Sequence, residues 1–304
     1  MTIHDFSGLK TINIKTNGNK KTKHEFVDYD ANDGKGLARY MLKYNQIALD
    51  TTRLSHANSC ISEYLSCHIF KMLGFETQET VLGYRDEELV VGCKIFSING
   101  NNLVHFADVQ NKTLKPSLQG LSNRELSRIL LTIERQKLFP QIKPIELKKF
   151  FWDMFIADAF IGNFDRHNDN WGFLVNNMTQ QTKIAPIYDC ASSLFPNVGP
   201  LSISENKIKQ ACRSSILNKG ERIFYSDFLC DDEIDEECLL SLENIGPKIK
   251  QNMKNIFNLI DEIPIISDQY KKFYKDVIIE RKNEVIDKAL DYHYNNNTMS
   301  IKNI

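Results

Sequence analysis

The amino-acid sequence predicts an α+β fold with a small β-rich N-terminal part and a larger, mostly helical C-terminal part. In the first third of the chain, the Asp-Gly turn signal within Asn32–Gly36 precedes an apolar segment, and Glu88–Phe96 has the composition of a strand. Further along, apolar residues recur at helical spacing over Asp232–Glu243, Pro247–Leu259 and Asp268–Tyr294. A chain of 304 residues can bury a sizeable core and divide into two lobes.

The composition is that of an ordinary globular protein. Hydrophobic residues make up 42% of the chain, charged residues 25%, and the formal net charge is −1. This balance argues against a broadly basic nucleic-acid binder and a protein held on membranes by general electrostatics. The seven cysteines form no C-x-x-C pair, which predicts reduced thiols. A polar N-terminus and the lack of any run of about 18 apolar residues predict a cytoplasmic protein without a membrane span.

The most informative segment is Phe160–Leu174, with the sequence F-I-G-N-F-D-R-H-N-D-N-W-G-F-L. Asp165 precedes Asn170 by five positions, the D-x-x-x-x-N separation of kinase catalytic loops, and P-I-Y-D ends at Asp189 shortly afterwards. In that pattern the first Asp takes the proton of the attacking hydroxyl. The spacing alone also occurs in surface turns, so its context has to support the interpretation.

Asn170 and Asp189 are the predicted metal ligands. Phosphoryl transfer requires an oriented hydroxyl and neutralisation of charge on the β- and γ-phosphate oxygens. Mg²⁺ supplies that neutralisation and is usually held by one or two carboxylates together with substrate phosphates. A carboxamide and a carboxylate suit such a sparse site.

The flanking pattern places these residues in a loop that leads into a hairpin. Pro144 and the apolar residues that follow it at three- and four-residue steps predict a helix that Gly162 ends. Trp171–Val175 and Lys183–Ile187 predict two short strands joined by a polar turn. The two predicted metal ligands then meet at the open end of this hairpin. His167 is expected to brace the loop, because no second His or Cys stands nearby at metal-ligand spacing.

With these residues in place, the chain resembles a known family. The motif G-N-F-D-R-H-N-D-N-W-G-F-L, followed by I-A-P-I-Y-D-C-A-S-S-L-F-P, is similar to the HipA-like serine/threonine kinases, and most closely to their short, cell-translocating members. The order D-R-H-x-x-N is also similar to that of phosphoinositide kinases. The family resemblance implies a bilobal protein-kinase-like fold, with an N-lobe over residues 1–96 and a C-lobe over residues 97–304.

The resemblance also implies roles in the N-terminal third. Lys43 resembles the lysine that contacts the α- and β-phosphates of ATP, and Glu63 lies where the family places the helix glutamate that partners this lysine. Gly18, Asn19 and Lys20 resemble the N-G-N-K turn, in which free backbone N–H groups approach phosphate. No G-x-G-x-x-G or Walker sequence is present, which departs from ordinary kinases.

The predicted hinge between the lobes covers Lys94, Ile95 and Phe96, whose backbone is expected to bind adenine. Phe96 can equally be a core residue. The glycine-rich Asn32–Gly36 is a second candidate for the phosphate loop, although its Asp-Gly pair favours a hairpin turn.

The resemblance implies ATP- and Mg²⁺-dependent phosphorylation of a protein serine or threonine, with autophosphorylation expected. No nucleic-acid partner is predicted. The location implied is the bacterial cytoplasm, or another cell after translocation. Three alternatives remain open: a phosphoinositide kinase, a non-catalytic nucleotide-binding pseudokinase, and a nucleotidyl transferase, since family kinship alone does not decide which phosphate of ATP is attacked.

Overall fold

A computed structural model describes most of the chain. The described residues are 1–12, 24–31, 36–45, 58–98, 100–114, 122–196 and 212–302, with side chains described as far as residue 296. The predicted phosphate loop at Gly18, Asn19 and Lys20 lies outside these residues, as does most of the predicted turn at Asn32–Gly36.

The N-terminal part is built on a five-stranded sheet with the spatial order β1-β4-β5-β3-β2. Neighbouring strands are antiparallel except β1 and β4, which are parallel. Lys43 lies in strand β3, an interior strand of the sheet, opposite Val91 of β5 on one side and His24 of β2 on the other. The strands of this sheet are His4–Asp5 (β1), His24–Tyr29 (β2), Ala38–Tyr44 (β3), Thr80–Arg85 (β4) and Glu88–Lys94 (β5).

One helix, α1 (Ser59–Met72), packs against the sheet and carries Glu63. Its apolar side chains Ile61, Leu65 and Ile69 are completely buried, so the helix is fixed by core packing. Glu63 is completely buried as well, which is costly for a carboxylate unless a partner of opposite charge is present. The buried Glu63 carboxylate therefore requires a cationic partner.

The C-terminal part is mainly helical, and its centre is α4. From Phe151 to Ile161 every residue of this helix is buried, as expected for a helix surrounded by other elements. In the described part of the chain, no helix has the length and hydropathy needed to cross a bilayer. The helices are Phe106–Thr113 (α2), Leu126–Arg135 (α3), Pro144–Ile161 (α4), Tyr225–Leu229 (α5), Glu236–Asp261 (α6), Asp268–Arg281 (α7) and Lys288–Lys302 (α8), with the π-helical turn Lys282–Asp287 joining the last two.

Two small sheets complete the C-terminal part. The predicted hairpin is confirmed as Gly172–Asn176 (β7) and Thr182–Ile184 (β8). Asn101–His105 (β6) pairs with the other edge of β7, which holds the start of the hairpin from both sides. A second hairpin is formed by Arg213–Asn218 (β9) and Glu221–Phe224 (β10).

The predicted helix break before Pro247 is wrong, because α6 continues through this proline. Proline removes one backbone hydrogen bond and normally kinks or ends a helix. Here Ile245 and Ile249, on either side of it, are both buried, and α6 packs along α4. Packing against the core therefore outweighs the local preference of proline.

Candidate active site

A cavity of about 820 Å³ lies between the N-terminal sheet and the loops of the C-terminal part. This size suits a small-molecule ligand. Strand β3, the start of α1, the segment after β5 and the loop after α4 all contribute to its wall. The lining residues include Met41, Lys43, Cys60, Val91, Ile95, Phe96, Ser97, Leu103, His105, His167, Asp169, Asn170, Tyr188 and Asp189.

Lys43 joins two of the predicted site residues. Its Nζ donates to Glu63 Oε1 at 3.1 Å and to Asp189 Oδ1 at 2.9 Å. The two carboxylates differ in environment, since the Glu63 side chain is 0% exposed and the Asp189 side chain is 45% exposed. Lys43 therefore connects the buried carboxylate of Glu63, in α1, with the Asp189 carboxylate, which faces the cavity.

The charges of this cluster control its protonation. Burial alone would lower the pKa of the Lys43 ammonium, but the carboxylates of Asp189 and Glu63 hold it well above its ordinary value. The positive charge of Lys43 in turn lowers the pKa of Asp189. Lys43 is thus a cation and Asp189 an anion at neutral pH, as a nucleotide phosphate site with a metal ligand requires.

The loop after α4 begins at a glycine. Gly162 ends the helix with φ of 67°, the left-handed conformation that glycine adopts at least cost, so the predicted helix end is confirmed. Asn163 Oδ1 then accepts from the N–H of Asp165 at 3.1 Å. Asn170 Nδ2 donates to the carbonyl oxygen of Asp165 at 2.9 Å, which closes the five-residue spacing seen in the sequence into one compact loop.

Asp165 is partly enclosed by this loop. Burial raises the pKa of its carboxyl above the ordinary aspartate value, and the nearby charge of His167 opposes that rise. A carboxylate with a raised pKa is a better proton acceptor than an ordinary one. His167 Nδ1 accepts from the N–H of Asp169 at 3.2 Å, so this histidine braces the loop locally.

No motif in the sequence points to Arg166, although its side chain holds the site together. Its guanidinium donates through Nε to Asp158 Oδ2 at 2.9 Å, while Nη1 donates to the carbonyl oxygens of Asn170 at 2.9 Å and Tyr188 at 2.6 Å. One nitrogen thus fixes both the catalytic loop and the residue preceding Asp189. The available signal was Asp158, the one charged residue in the otherwise apolar last two turns of α4, because a buried carboxylate requires a partner.

The predicted hinge residues are divided between two environments. Ile95 and Phe96 line the cavity, whereas Lys94 does not. The Lys94 side chain binds Glu79 at 2.8 Å, and its N–H and carbonyl group bond to Glu79 and Gln78. The placement of Lys94 does not support the expected contact with nucleotide.

The donor groups suit a magnesium ion that is shared with a nucleotide. Among the described residues no group of three or more His, Cys, Asp or Glu side chains forms a metal cluster. Asn170 and Asp189 instead provide hard oxygen atoms, and Asn170 presents its Oδ1 because its Nδ2 is bonded within the loop. Mg²⁺ normally takes its remaining ligands from water and phosphate.

Comparisons with known proteins agree with this geometry. Residues 13–238 match the family described as the HipA-like C-terminal domain. The chain is 36% identical over 262 residues to the serine/threonine-protein kinase CtkA of Helicobacter pylori, covering 82% of this chain and 78% of that protein. The crystal structure of the H. pylori proinflammatory kinase CtkA matches with a TM-score of 0.83 at 33% identity, covering 95% of this chain and 96% of the other. The predicted resemblance and the α+β kinase-like fold are thereby confirmed.

Proposed function

The chain belongs to the HipA-like family, and on this basis we propose that it is an ATP- and Mg²⁺-dependent serine/threonine protein kinase. The observation that carries the proposal is the convergence of Lys43, Glu63 and Asp189 with the loop of Asp165 and Asn170 at one cavity. Each residue type matches a step that phosphoryl transfer needs.

The acceptor side of the reaction belongs to Asp165. Its carboxylate accepts the proton of a serine or threonine hydroxyl and holds that oxygen in line with the γ-phosphate. The backbone of Asp165 is fixed on both sides, by Asn163 and by Asn170, so the carboxylate needs little rearrangement before transfer.

The nucleotide side belongs to Lys43, which contacts the α- and β-phosphates while Glu63 keeps it aimed at the cavity. Asn170 Oδ1 and the Asp189 carboxylate would hold Mg²⁺, which when bound neutralises charge on the phosphate oxygens. Adenine lies against the backbone of Ile95 and Phe96. Gly18, Asn19 and Lys20 would contact the phosphates, as the family resemblance implies.

In this proposal the lobe boundary stays where the sequence indicated it. The strands of the five-stranded sheet all precede Phe96, and each helix of the C-terminal part follows it. Residues 1–96 then form the N-lobe and residues 97–304 the C-lobe, and ATP binds between them.

A transfer assay tests the reaction type. ATP labelled at the γ-phosphate or at the α-phosphate is incubated with the protein, a generic protein acceptor and phosphoinositide vesicles. We expect γ-label on serine or threonine of protein, including the chain itself. Label from the α-phosphate would indicate nucleotidyl transfer, and label confined to lipid would indicate a phosphoinositide kinase.

Asp165→Asn provides the matched variant for that assay. Because the residue faces the acceptor rather than ATP, calorimetry should show nearly unchanged affinity for an ATP analogue with Mg²⁺. Turnover should fall by about 10²–10⁴, the range expected for a lost general base. Transfer near the wild-type rate would remove Asp165 from the mechanism, and lost nucleotide binding by a folded variant would place it among the metal ligands.

A further inference from the structure

The β9–β10 hairpin lies against the catalytic loop on the side of Asp165. Arg222 Nη2, in β10, donates to the carbonyl oxygen of Phe164, the residue immediately before Asp165, at 2.6 Å. On the neighbouring strand, the N–H of Leu217 donates to the carbonyl oxygen of Arg124 at 2.9 Å. These bonds bring the hairpin and the turn before α3 together beside the predicted catalytic aspartate.

This surface carries three exposed arginines, Arg124, Arg213 and Arg222, which we call the arginine face. Two of them are held in place. Arg222 Nε donates to the carbonyl oxygen of Ser214 at 2.8 Å, and the Arg213 guanidinium lies 3.9 Å from the ring centroid of Phe224. Fixed guanidinium groups lose less conformational entropy when they bind an anion.

No carboxylate in the described part of the chain forms an ion pair with these arginines. The two glutamates next to these arginines in the sequence are otherwise arranged. Glu125 is buried, and its carboxylate accepts from the N–H of Gly220 at 3.3 Å. Glu221 is adjacent to Arg222 in a strand, where successive side chains point to opposite faces. Among the described residues, therefore, no ion pair offsets the positive charge of the arginine face.

ATP does not account for this charge. The nucleotide cavity is lined by Lys43, Asn170 and Asp189, and none of the three arginines belongs to its wall. Arg222 nevertheless reaches the residue next to Asp165, because its Nη2 donates to the carbonyl oxygen of Phe164. The arginines thus stand near the acceptor side of the site but outside the phosphate side.

We propose that the arginine face recognises acidic side chains of the protein acceptor, so that the kinase prefers a serine or threonine with aspartate or glutamate residues near it. This inference rests on the proposed function and names the class of its substrate. The planar fork of an arginine matches a carboxylate with two hydrogen bonds, so Arg213 can select acidic peptides over neutral ones. Arg222, whose Nε and Nη2 already donate to backbone carbonyl groups, adds positive charge beside it.

Peptide binding, measured by fluorescence anisotropy without ATP, tests the inference. Labelled serine peptides that differ only in flanking Asp/Glu or Asn/Gln residues are titrated with wild-type protein. We expect the acidic peptide to bind at least about tenfold more tightly, as hydrogen bonds to charged groups imply, and to lose affinity as salt rises. Equal affinity for the two peptides would overturn the proposal. A phosphoserine peptide that alone binds tightly would overturn it in favour of phosphate recognition.

Single variants assign the effect to the arginine face. Arg213→Gln should weaken the acidic peptide about tenfold and leave the neutral peptide unchanged. Arg39→Gln is the matched control, because Arg39 pairs with Asp28 on the N-terminal sheet. An equal loss in the control, or equal losses for both peptides, would overturn the assignment. Circular dichroism establishes that each variant is folded.

Steady-state kinetics separate this inference from the kinase assignment. With the acidic peptide as acceptor, Arg213→Gln should raise KM and leave kcat unchanged, because the residue binds substrate without touching the reacting atoms. If phosphate is transferred to acidic and neutral peptides with equal efficiency, the proposed role of the arginine face is wrong and the kinase assignment still stands. Selective binding of the acidic peptide without any transfer from ATP would support the arginine face and contradict the proposed kinase activity.

Discussion

Lys43 contacts two carboxylates that differ in their exposure, and therefore in whether they can bind another cation instead. Glu63 is completely buried, so losing the lysine would leave an uncompensated charge in the protein interior. Asp189 is nearly half exposed, and its charge can be satisfied by water or by a metal ion. We infer that the Lys43–Glu63 pair is permanent, whereas the more exposed Asp189 carboxylate would be available to hold Mg²⁺.

A double-mutant cycle on Lys43 and Glu63 tests this pairing. Lys43→Met and Glu63→Gln should each reduce ATP turnover, and the double variant should lose little more than the worse single variant, because the two residues act as a unit. Lys43→Met should also lower the free energy of unfolding by about 3 kcal/mol, since it leaves Glu63 buried and unpaired. Turnover assays and urea unfolding measure the two effects.

Lys94→Met is the control for that cycle, because Lys94 is also a strand lysine but pairs with the exposed Glu79 outside the cavity. It should change the free energy of unfolding by less than about 1 kcal/mol and leave turnover unchanged. Additive losses from Lys43 and Glu63 would mean that Glu63 serves another partner. A loss of nucleotide affinity in Lys94→Met would restore Lys94 to the nucleotide site.

The site residues that could be predicted from the sequence are those that belong to a local motif or to a family pattern. Asp165 and Asn170 share one loop, so their spacing already described their geometry. Arg166 lies in the same motif, yet its importance depends on Asp158 in the helix and Tyr188 beyond the hairpin. Side-chain partners that come from three separate elements cannot be identified from spacing in a single sequence.

Among the elements, α4 provides the rigid base of the catalytic loop. Near the C-terminal end of α4, Asp158 forms an ion pair with Arg166. This pair is almost completely buried, since the Arg166 side chain is only 2% exposed. Burial alone would lower the pKa of the Arg166 guanidinium, but Asp158 holds it above its ordinary value. The pair stays ionised and connects the helix to the loop and to the segment before Asp189.

Arg166→Met should reduce both stability and turnover. Removing one partner of a buried ion pair leaves Asp158 unpaired, so the free energy of unfolding should fall by about 3–5 kcal/mol. In the double variant Asp158→Leu/Arg166→Met much of that stability should return, because no unpaired charge remains. Turnover should stay low, because Asn170 and Tyr188 have lost the donor that fixes their carbonyl groups.

Urea unfolding and single-turnover transfer distinguish these outcomes. Lys272→Met serves as the control, since it breaks an exposed ion pair with Asp276 and should cost less than about 0.5 kcal/mol. Recovery of turnover together with stability in the double variant would show that Arg166 has only a structural role.

Elements defined by local pattern were predicted, and those defined by distant pairing were not. The helix from Pro144 to Gly162 and the β7–β8 hairpin contain their own start, stop and turn signals. Strand β6 pairs with β7 across some 70 residues of intervening chain, and no local signal identifies that partner. At Pro247 the local signal was misleading. Proline predicts a helix break, but packing against α4 keeps α6 continuous through this residue.

Over the whole molecule, the cavity of about 820 Å³ lies between the N-terminal sheet and the C-terminal loops, and the Lys43–Asp189 ion pair connects the two parts. A ligand that binds both parts should stabilise the folded chain as a unit. At a ligand concentration of 100 times Kd the stabilisation is about 2.7 kcal/mol, which corresponds to a rise in Tm of roughly 4 °C for a chain of this size.

Asp189→Ala tests whether that stabilisation requires the metal ligand. With an ATP analogue and millimolar Mg²⁺, thermal unfolding of the wild type should shift upwards by the amount above, and EDTA should remove most of the shift. In Asp189→Ala the shift should be small with or without Mg²⁺, because water cannot replace the charge of the missing carboxylate. Phosphoryl transfer should be abolished in the same variant.

Asp169→Ala is the informative comparison, because Asp169 lines the same cavity but its carboxylate lies beside His167. It should keep the Mg²⁺-dependent shift, since the Tyr188 hydroxyl binds the Asp169 carbonyl group, which the substitution leaves in place. If Asp169→Ala loses the shift while Asp189→Ala keeps it, the metal belongs to the catalytic loop alone. In that case Asp189 serves only to hold Lys43, and the two parts of the molecule are joined by nucleotide and not by the ion.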